Sequence, residues 1–422
     1  MDDNGISEQR VQAIWCDIYV PHDVPAGWYR GTVTVHADGI APISLNLRVR
    51  VYDVTLPDEL NFNPELNCYY SGSGWFKPGS EKWFAAHKLA HAHRCTINRV
   101  PYSQSGHVDA SVAPKVVGDG VNQRVADWSE FDNCVGPLLN GSAFATNPRK
   151  GVPVKVMYLP FHENYPNPIA KHYRYRGEQY GQRCIILHAL FAPPIERAFT
   201  REYMDGFRSI VRDFAEHFAR MGWTRTIFQC YLNNKYRYRI MGRGTSWWLL
   251  DEPAGYDDWM ALRFFSRMFH EALVGQSTGL MRKHTTLLYK GVQFAFRGDI
   301  SRPEWQFERM DGLMEMMYVN NSIFTKVRRC RIMKERMPTI LCVYGSCNRV
   351  GENNFQTVAW CLKAFIAGAD GVLPWQSLAG DSAFFNADQC GLLVDGERFG
   401  EHVIASFRVK ALRRGAELVE LL

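Results

Sequence analysis

Two adjacent carboxylates carry the clearest chemical signal in the sequence. The run Trp247-Trp248-Leu249-Leu250-Asp251-Glu252-Pro253 is apolar and aromatic until it ends in Asp251, Glu252 and a proline. Pro253 has no N–H and cannot continue a central ladder, so it ends the extended segment. Two carboxylates beside apolar rings repel each other and lose solvent, and both effects favour the protonated form of at least one. A carboxylic acid that keeps its proton near neutral pH can act as a general acid. A plainer reading makes Asp251 the N-cap of the helix expected from Tyr256, with Glu252 a surface residue. It leaves unexplained why Trp247 and Trp248 lead straight into the pair.

A general acid of this kind needs a partner. Ordinary retaining glycosidases place two carboxyl groups ~5–5.5 Å apart and use the second as nucleophile. In many barrel glycosidases that nucleophile ends the seventh strand. Here the corresponding segment, Thr339-Ile340-Leu341-Cys342-Val343-Tyr344-Gly345, holds no acid. Glu352 follows in a loop, and Asp299 lies between Arg297 and Arg302, where pairing to arginine is its simpler role. A 2-acetamido sugar carries its own nucleophile, the amide carbonyl oxygen. The protein then needs one carboxylate to hold the amide N–H and stabilise an oxazolinium ion, and another to act as acid and then base. Neighbouring carboxylates can share that task only outside regular strand, where successive side chains point to opposite faces.

The elements that must position these groups follow from the patterning. Candidate strands are Leu66–Tyr70, Thr96–Val100, Val154–Leu159, Thr226–Leu232, Thr285–Tyr289, Leu313–Val319, Thr339–Tyr344 and Gly371–Trp375. Candidate helices are Glu81–Ala92, Trp128–Leu139, Thr200–Met221, Tyr256–Leu273, Glu304–Asp311, Thr325–Arg336, Asn354–Ala367 and His402–Arg414. Eight alternations predict a (β/α)₈ barrel over 61–422. A doubly wound open sheet is the alternative, but no strand is followed by the G-x-G-x-x-G turn of its dinucleotide-binding form. The long loops Gln104–Asp127 and Pro160–Pro194 follow the second and third strands, on the face where barrel active sites are built.

Residues 1–60 differ. Ala13–Val20, Trp28–His36 and Ile43–Val54 are rich in Val, Ile and Tyr, and the last alternates apolar with polar residues as a half-buried strand does. Three strands cannot enclose a core, so this segment is expected to be a partial antiparallel β-sandwich, the end of a larger one.

Several motifs then resemble one family. Asp-Glu-Pro at 251–253, Arg-Gly-Asp-Ile-Ser-Arg-Pro at 297–303 and Gly-Ala-Asp-Gly-Val-Leu-Pro-Trp at 368–375 are among them. Ile14 to Pro21, Ala26 to Gly31 and Ile404 to Gly415 add to the likeness. In this order they resemble glycoside hydrolase family 123, β-N-acetylgalactosaminidases with an N-terminal β-sandwich and a (β/α)₈ barrel. The resemblance implies that Asp251 orients the acetamido group and Glu252 is the acid/base. It implies release of terminal β-linked N-acetylhexosamine, N-acetylgalactosamine favoured, with retention through an oxazoline. Alternatives are a two-carboxylate glycosidase acting on plain sugars and a non-catalytic glycan-binding protein. The segment Tyr231–Thr245 is longer than the family's pattern leads one to expect.

Other features bound the reading. Aromatics near strand ends, Tyr70, Trp75, Tyr231, Trp248, Tyr344 and Trp375, are candidate sugar platforms, with Asp299 a further substrate-binding candidate. The balance of 49 Lys+Arg against 43 Asp+Glu gives +6, too weak a bias to suggest nucleic acid. The most apolar stretch, Trp360–Trp375, is interrupted by Lys363 and Asp370, so membrane insertion is not expected. His87, His91 and His93 cluster, but Lys88 stands where a zinc motif needs Glu, so neither metal nor cofactor is expected. The eleven cysteines form no C-x-x-C pair and read as buried thiols. Met1-Asp2-Asp3-Asn4 starts no signal peptide; the expected compartment is periplasmic or secreted if the natural precursor is longer, and otherwise cytoplasmic.

Overall fold

The computed structural model describes residues 14–69, 74–103, 108–172, 194–233, 248–274, 285–306, 308–345, 353–380, 383 and 391–422. The chain divides into two compact units, at residues 58 and 59.

The first unit contains one antiparallel pair, Gly27–Val35 with Ile43–Val51. Trp28 lies opposite Arg50, and the guanidinium of Arg48 sits 4.8 Å above its ring. The expectation of three strands is corrected here: residues 14–20 form none, because no neighbouring strand among the described residues pairs with them.

The second unit is a (β/α)₈ barrel. Its strands in chain order are Asn63–Cys68, Thr96–Arg99, Val156–Tyr158, Ile227–Tyr231, Val292–Ile300, Met316–Asn320, Ile340–Gly345 and Gly371–Pro374. A parallel ladder runs through them in the order two, one, eight, seven, six, five, four, three. The seam between strands two and three is bridged by a side chain: Asn98 Oδ1 accepts from the Tyr158 N–H at 2.8 Å. Strand eight approaches strand one so closely that a Cβ on Gly371 would lie 2.4 Å from Asn63 O, so this crossing requires glycine.

The helices follow ordinary rules. Thr200 caps Arg201–Met221 by accepting from Tyr203 N, and Gly222 at φ 71° ends it. Tyr203, Phe207, Ile210, Phe214 and Phe218 form its buried stripe.

Several expected elements move. Strand five is Val292–Ile300, not Thr285–Tyr289. Leu287–Tyr289 instead folds back on it as an antiparallel partner through Lys290 and Gly291. Both turn residues have positive φ, 47° and 88°, which suits a tight hairpin turn. Strand one starts three residues earlier than expected. The helix expected over Glu304–Asp311 is a single 3₁₀ turn, Pro303–Gln306. The last helix is Phe407–Glu420, because Val403–Ala405 is taken into a small sheet with 378–379 and 393–395.

Alternation along the strands sorts the barrel interior into layers. Val156, Ile227, Ala295, Met316, Cys342 and Leu373, one from each of strands three to eight, pack in one apolar cluster. The next inward residues are polar: Glu65, Asn98, Tyr158, Gln229, Arg297 and Tyr318. Those after them reach the C-terminal mouth, including Tyr69, Tyr231, Asp299, Tyr344 and Trp375.

Candidate active site

The polar layer is organised by Arg297, which is fully buried. Its Nε and Nη2 donate to the two oxygens of Asp299 at 2.7 and 2.9 Å. Nη1 donates to Glu65 Oε1 at 2.8 Å and to Gln229 Oε1 at 2.9 Å. The Tyr318 ring lies 3.6 Å from the guanidinium and the Tyr231 ring 4.5 Å. Glu65 also accepts from Asn98 Nδ2 at 2.9 Å, from Gln229 Nε2 at 3.2 Å and from the Tyr318 hydroxyl. A buried charge pair is tolerated when hydrogen bonds satisfy it this completely. Burial pushes the Asp299 carboxyl up, against the opposing pull of Arg297.

Above this floor lies the carboxylate pair, in the loop between strand four and the helix Tyr256–Val274. Leu250 is buried and Asp251 is 4% exposed. The helix starts at Tyr256, beyond the pair. The backbone leading into it is held by Asp258, which accepts from Leu249 N at 2.8 Å and Gly255 N at 2.7 Å. The extended segment expected to run into Pro253 is a bend instead. Glu252 has φ 57°, a left-handed conformation that a residue with a Cβ adopts at a cost. Such strain gathers at functional sites. The conformation is fixed from the barrel, because Glu252 N–H donates to Asp299 O at 3.0 Å.

The Glu252 side chain is likewise placed. Ser301, just past strand five, and Tyr344, from strand seven, both donate to Glu252 Oε1, and their hydroxyls lie 2.8 Å apart. Burial first, then the bond and charge of Glu252, push the Tyr344 hydroxyl far above its usual range, so it remains a donor. Tyr69 behaves alike: burial and the charges of Asp251, Asp299 and Glu252 all push its hydroxyl up. One tyrosine therefore senses all three carboxylates.

The expected platforms divide. Trp375 is half-buried at the end of strand eight, with its ring centroid 6.2 Å from that of Tyr69. Tyr344 stands at the mouth as expected, bonded to Glu252 rather than presented as a bare ring face. Trp248 is corrected: it is fully buried beside Phe199, at 6.2 Å, and is core. Tyr231 is corrected too, since it is 2% exposed, with its ring 4.5 Å from the Arg297 guanidinium, and offers no open face. Asp299 is locked to Arg297. Tyr70, Trp247 and Glu352 lie outside the described residues.

Sequence reasoning missed Glu65, Asn67, Tyr69, Asn98 and Ser301. A signal existed in strand one, where Asn63, Glu65, Asn67 and Tyr69 alternate with Pro64, Leu66 and Cys68. That is a polar face turned into a barrel. The histidine cluster belongs to packing: His91 stacks on Phe144 at 4.0 Å and bonds Val152 O at 3.0 Å. Among the described residues no group of three or more His, Cys, Asp or Glu is placed to hold a metal ion. Among them also, no helix is long and apolar enough to cross a membrane.

No family model matches the chain, and no curated protein matches it. Among solved structures it is similar to the endo-beta-1,4-mannanase from Thermotoga petrophila, at 10% identity over 86% of this chain and 77% of that chain, with a TM-score of 0.44.

Proposed function

We propose that the chain is a glycoside hydrolase that releases terminal β-linked N-acetylhexosamine, N-acetylgalactosamine favoured, by substrate-assisted catalysis with retention. One observation carries the reading. Adjacent carboxylates stand at the mouth of the barrel, one of them held in a left-handed conformation, while Asp299, the one of the two candidate partners that lies among the described residues, is committed to Arg297 in a two-pronged pair. An acid and a charge stabiliser are at hand, and Asp299, which could otherwise attack an anomeric carbon, is tied up. The motifs that resemble glycoside hydrolase family 123 point the same way.

In this mechanism the acetamido carbonyl oxygen attacks the anomeric carbon as the bond to the leaving oxygen breaks. Glu252 gives that oxygen its proton. Ser301 and Tyr344 both donate to Oε1, so the transferable proton belongs on Oε2. Asp251 accepts the amide N–H and offsets the positive charge of the oxazolinium ion. Glu252, now ionised, takes a proton from water as that water attacks the anomeric carbon from the face the leaving group left. The ring opens to the β-configured product. Tyr69 and Trp375 supply the aromatic wall.

The test is a set of chromogenic β-glycosides with and without a 2-acetamido group, combined with a thiazoline analogue of the oxazoline. The expected result is turnover of 2-acetamido substrates alone, and a thiazoline that binds 10²–10⁸-fold tighter than substrate, as intermediate mimics do. Efficient cleavage of a plain galactoside or mannoside, with indifference to the thiazoline, would establish a two-carboxylate enzyme instead. Equal binding of sugar and thiazoline without release of aglycone would establish a lectin-like protein.

A further inference from the structure

Two buried polar groups near the carboxylate pair have no use in the mechanism above. Asn233 follows strand four by two residues, next after Gln229 and Tyr231 in the inward-facing row. It is fully buried, and among the described residues neither its Oδ1 nor its Nδ2 has a hydrogen-bond partner. His162 follows strand three and is 1% exposed. Its Nδ1 accepts from Asn164 N at 3.1 Å, so the ring proton sits on Nε2, which is also buried and has no partner among the described residues. Burial drives its pKa down to about 3, so the ring is neutral.

The two groups flank one side chain. The Tyr102 ring centroid is 4.4 Å from that of His162. Its hydroxyl donates to Tyr231 O, two residues before Asn233. Tyr231 in turn packs its ring 4.5 Å from the guanidinium of Arg297, which holds Asp299, and the Asp299 carbonyl accepts from Glu252 N–H, so the same strand ends carry both sites. Burying polar groups without partners is costly, and folded proteins tolerate few of them. Two orphans beside one tyrosine, on the face that carries the carboxylates, call for a ligand.

The chemistry of the orphans selects its class. The Asn233 amide offers a donor and an acceptor, and the neutral His162 adds a donor. Neither is charged, and the carboxylates on the same face disfavour an anion. The matching group is an uncharged one that both gives and takes hydrogen bonds. We propose that Asn233 and His162 form a hydroxyl-reading subsite, which takes a pair of neighbouring ring hydroxyls of the sugar whose anomeric carbon faces Asp251 and Glu252. This subsite rests on reading the cleft as a glycan site, and it would set which hydroxyl stereochemistry the protein accepts. The competing occupant is an ordered water.

The test begins with the wild-type chain. Calorimetry with N-acetylgalactosamine, N-acetylglucosamine, galactose and mannose identifies the tightest sugar, and its 3-, 4- and 6-deoxy analogues follow. Loss of one ring hydroxyl should weaken binding about 10- to 100-fold, the effect of leaving buried polar groups unpaired. In Asn233→Leu the same deoxy analogue should bind no worse than its parent, and the ligand-free protein should melt at a higher temperature, because an orphaned amide has gone. A merely structural residue would not give that combination. If Asn233→Leu does not fold, the deoxy series on wild type and on His162→Gln, which keeps a neutral donor, decides alone. Deoxy analogues that bind like their parents, or a Leu variant that still distinguishes them, would assign the site to water and overturn the proposal, as would failure of every sugar to bind. Binding of a plain sugar, but of no 2-acetamido sugar, would defeat the proposed function while the deoxy series of that sugar still tested the subsite.

Discussion

Replacing Arg297 by Met should destabilise the barrel in a way that depends on pH. The substitution removes two hydrogen bonds to Asp299 and those to Glu65, Gln229 and Tyr158. Glu65 keeps Asn98, Gln229 and Tyr318. Asp299 loses the bidentate pair that opposes its desolvation. Breaking a buried pair by removing one partner costs ~3–5 kcal/mol. The carboxyl of Asp299 is already above its ordinary value because of burial, and loss of Arg297 raises it further. A carboxyl raised in the folded state holds a proton that the unfolded chain releases. Stability therefore falls as pH rises above the unfolded value of ~3.9, by up to ~1.4 kcal/mol per pH unit, until the folded value is passed. Urea unfolding of wild type and Arg297→Met, followed by circular dichroism from pH 4.5 to 8, should show the smallest gap at the acid end. Near pH 7 the gap should approach the full ~3–5 kcal/mol. Adding Asp299→Leu should recover part of the loss, since the second charge is gone too. A gap of the same size at every pH, or one below ~1 kcal/mol at neutrality, would refute the view that this pair is buried and interdependent.

Four further outcomes are expected. Glu252→Gln should lose most activity on poor leaving groups and less on activated aryl glycosides, where protonation matters least; equal losses in kcat would remove the acid assignment. Asp251→Asn should lower kcat on the order of 10²–10³-fold, and a rate near wild type would exclude charge stabilisation by this residue. At position 252, with φ 57°, the Gly variant should be more stable than the Ala variant by about 1 kcal/mol in denaturant titration, and the reverse order would dispute the left-handed conformation. Burial lowers His87 to about 3, so as pH falls below ~6.5 the unfolded chain gains a proton that the folded chain refuses; His87→Met should lessen acid destabilisation by up to ~1.4 kcal/mol per pH unit, which an unchanged slope in pH-dependent unfolding would contradict.

The barrel was legible because its elements are regular. Helices such as Glu81–Ala92 announce themselves by a capping serine and a buried stripe, and those signals are local. Strand five was misplaced because its hairpin turns on Lys290-Gly291 rather than on Asn-Gly, so Leu287–Tyr289 stood out as a run of its own. The carboxylate pair stood out in the sequence, since an aromatic run that ends in two acids is conspicuous at the level of residues. What surrounds it was not. Ser301 and Tyr344 meet at Glu252 from positions 49 and 92 residues away, and no spacing rule links them. Trp248 and Tyr231 were misjudged because proximity to a strand end does not say which way a ring points. That direction is set by packing, against Phe199 for one and against the Arg297 guanidinium for the other.

The polar layer also explains how two neighbouring acids can share one site. Barrel interiors are usually filled by branched apolar side chains. Here one layer is given to a network around Arg297, whose hydrogen bonds fix Asp299 by both carboxylate oxygens. Fixing that side chain fixes its backbone at the end of strand five, and the Asp299 carbonyl receives the Glu252 N–H at 3.0 Å. The loop must then pass through a left-handed residue at 252 to make this bond, and that turn breaks the alternation which would otherwise send Asp251 and Glu252 to opposite sides. Ser301, two residues beyond Asp299, is carried by the same rigid strand end to the Glu252 carboxylate. Satisfied polar networks of this kind specify one arrangement more sharply than apolar packing, because any displacement leaves a buried group unpaired. The orientation of Glu252 is thus imposed from the floor of the barrel upward, by the bonds of Asp299, Ser301 and Tyr344.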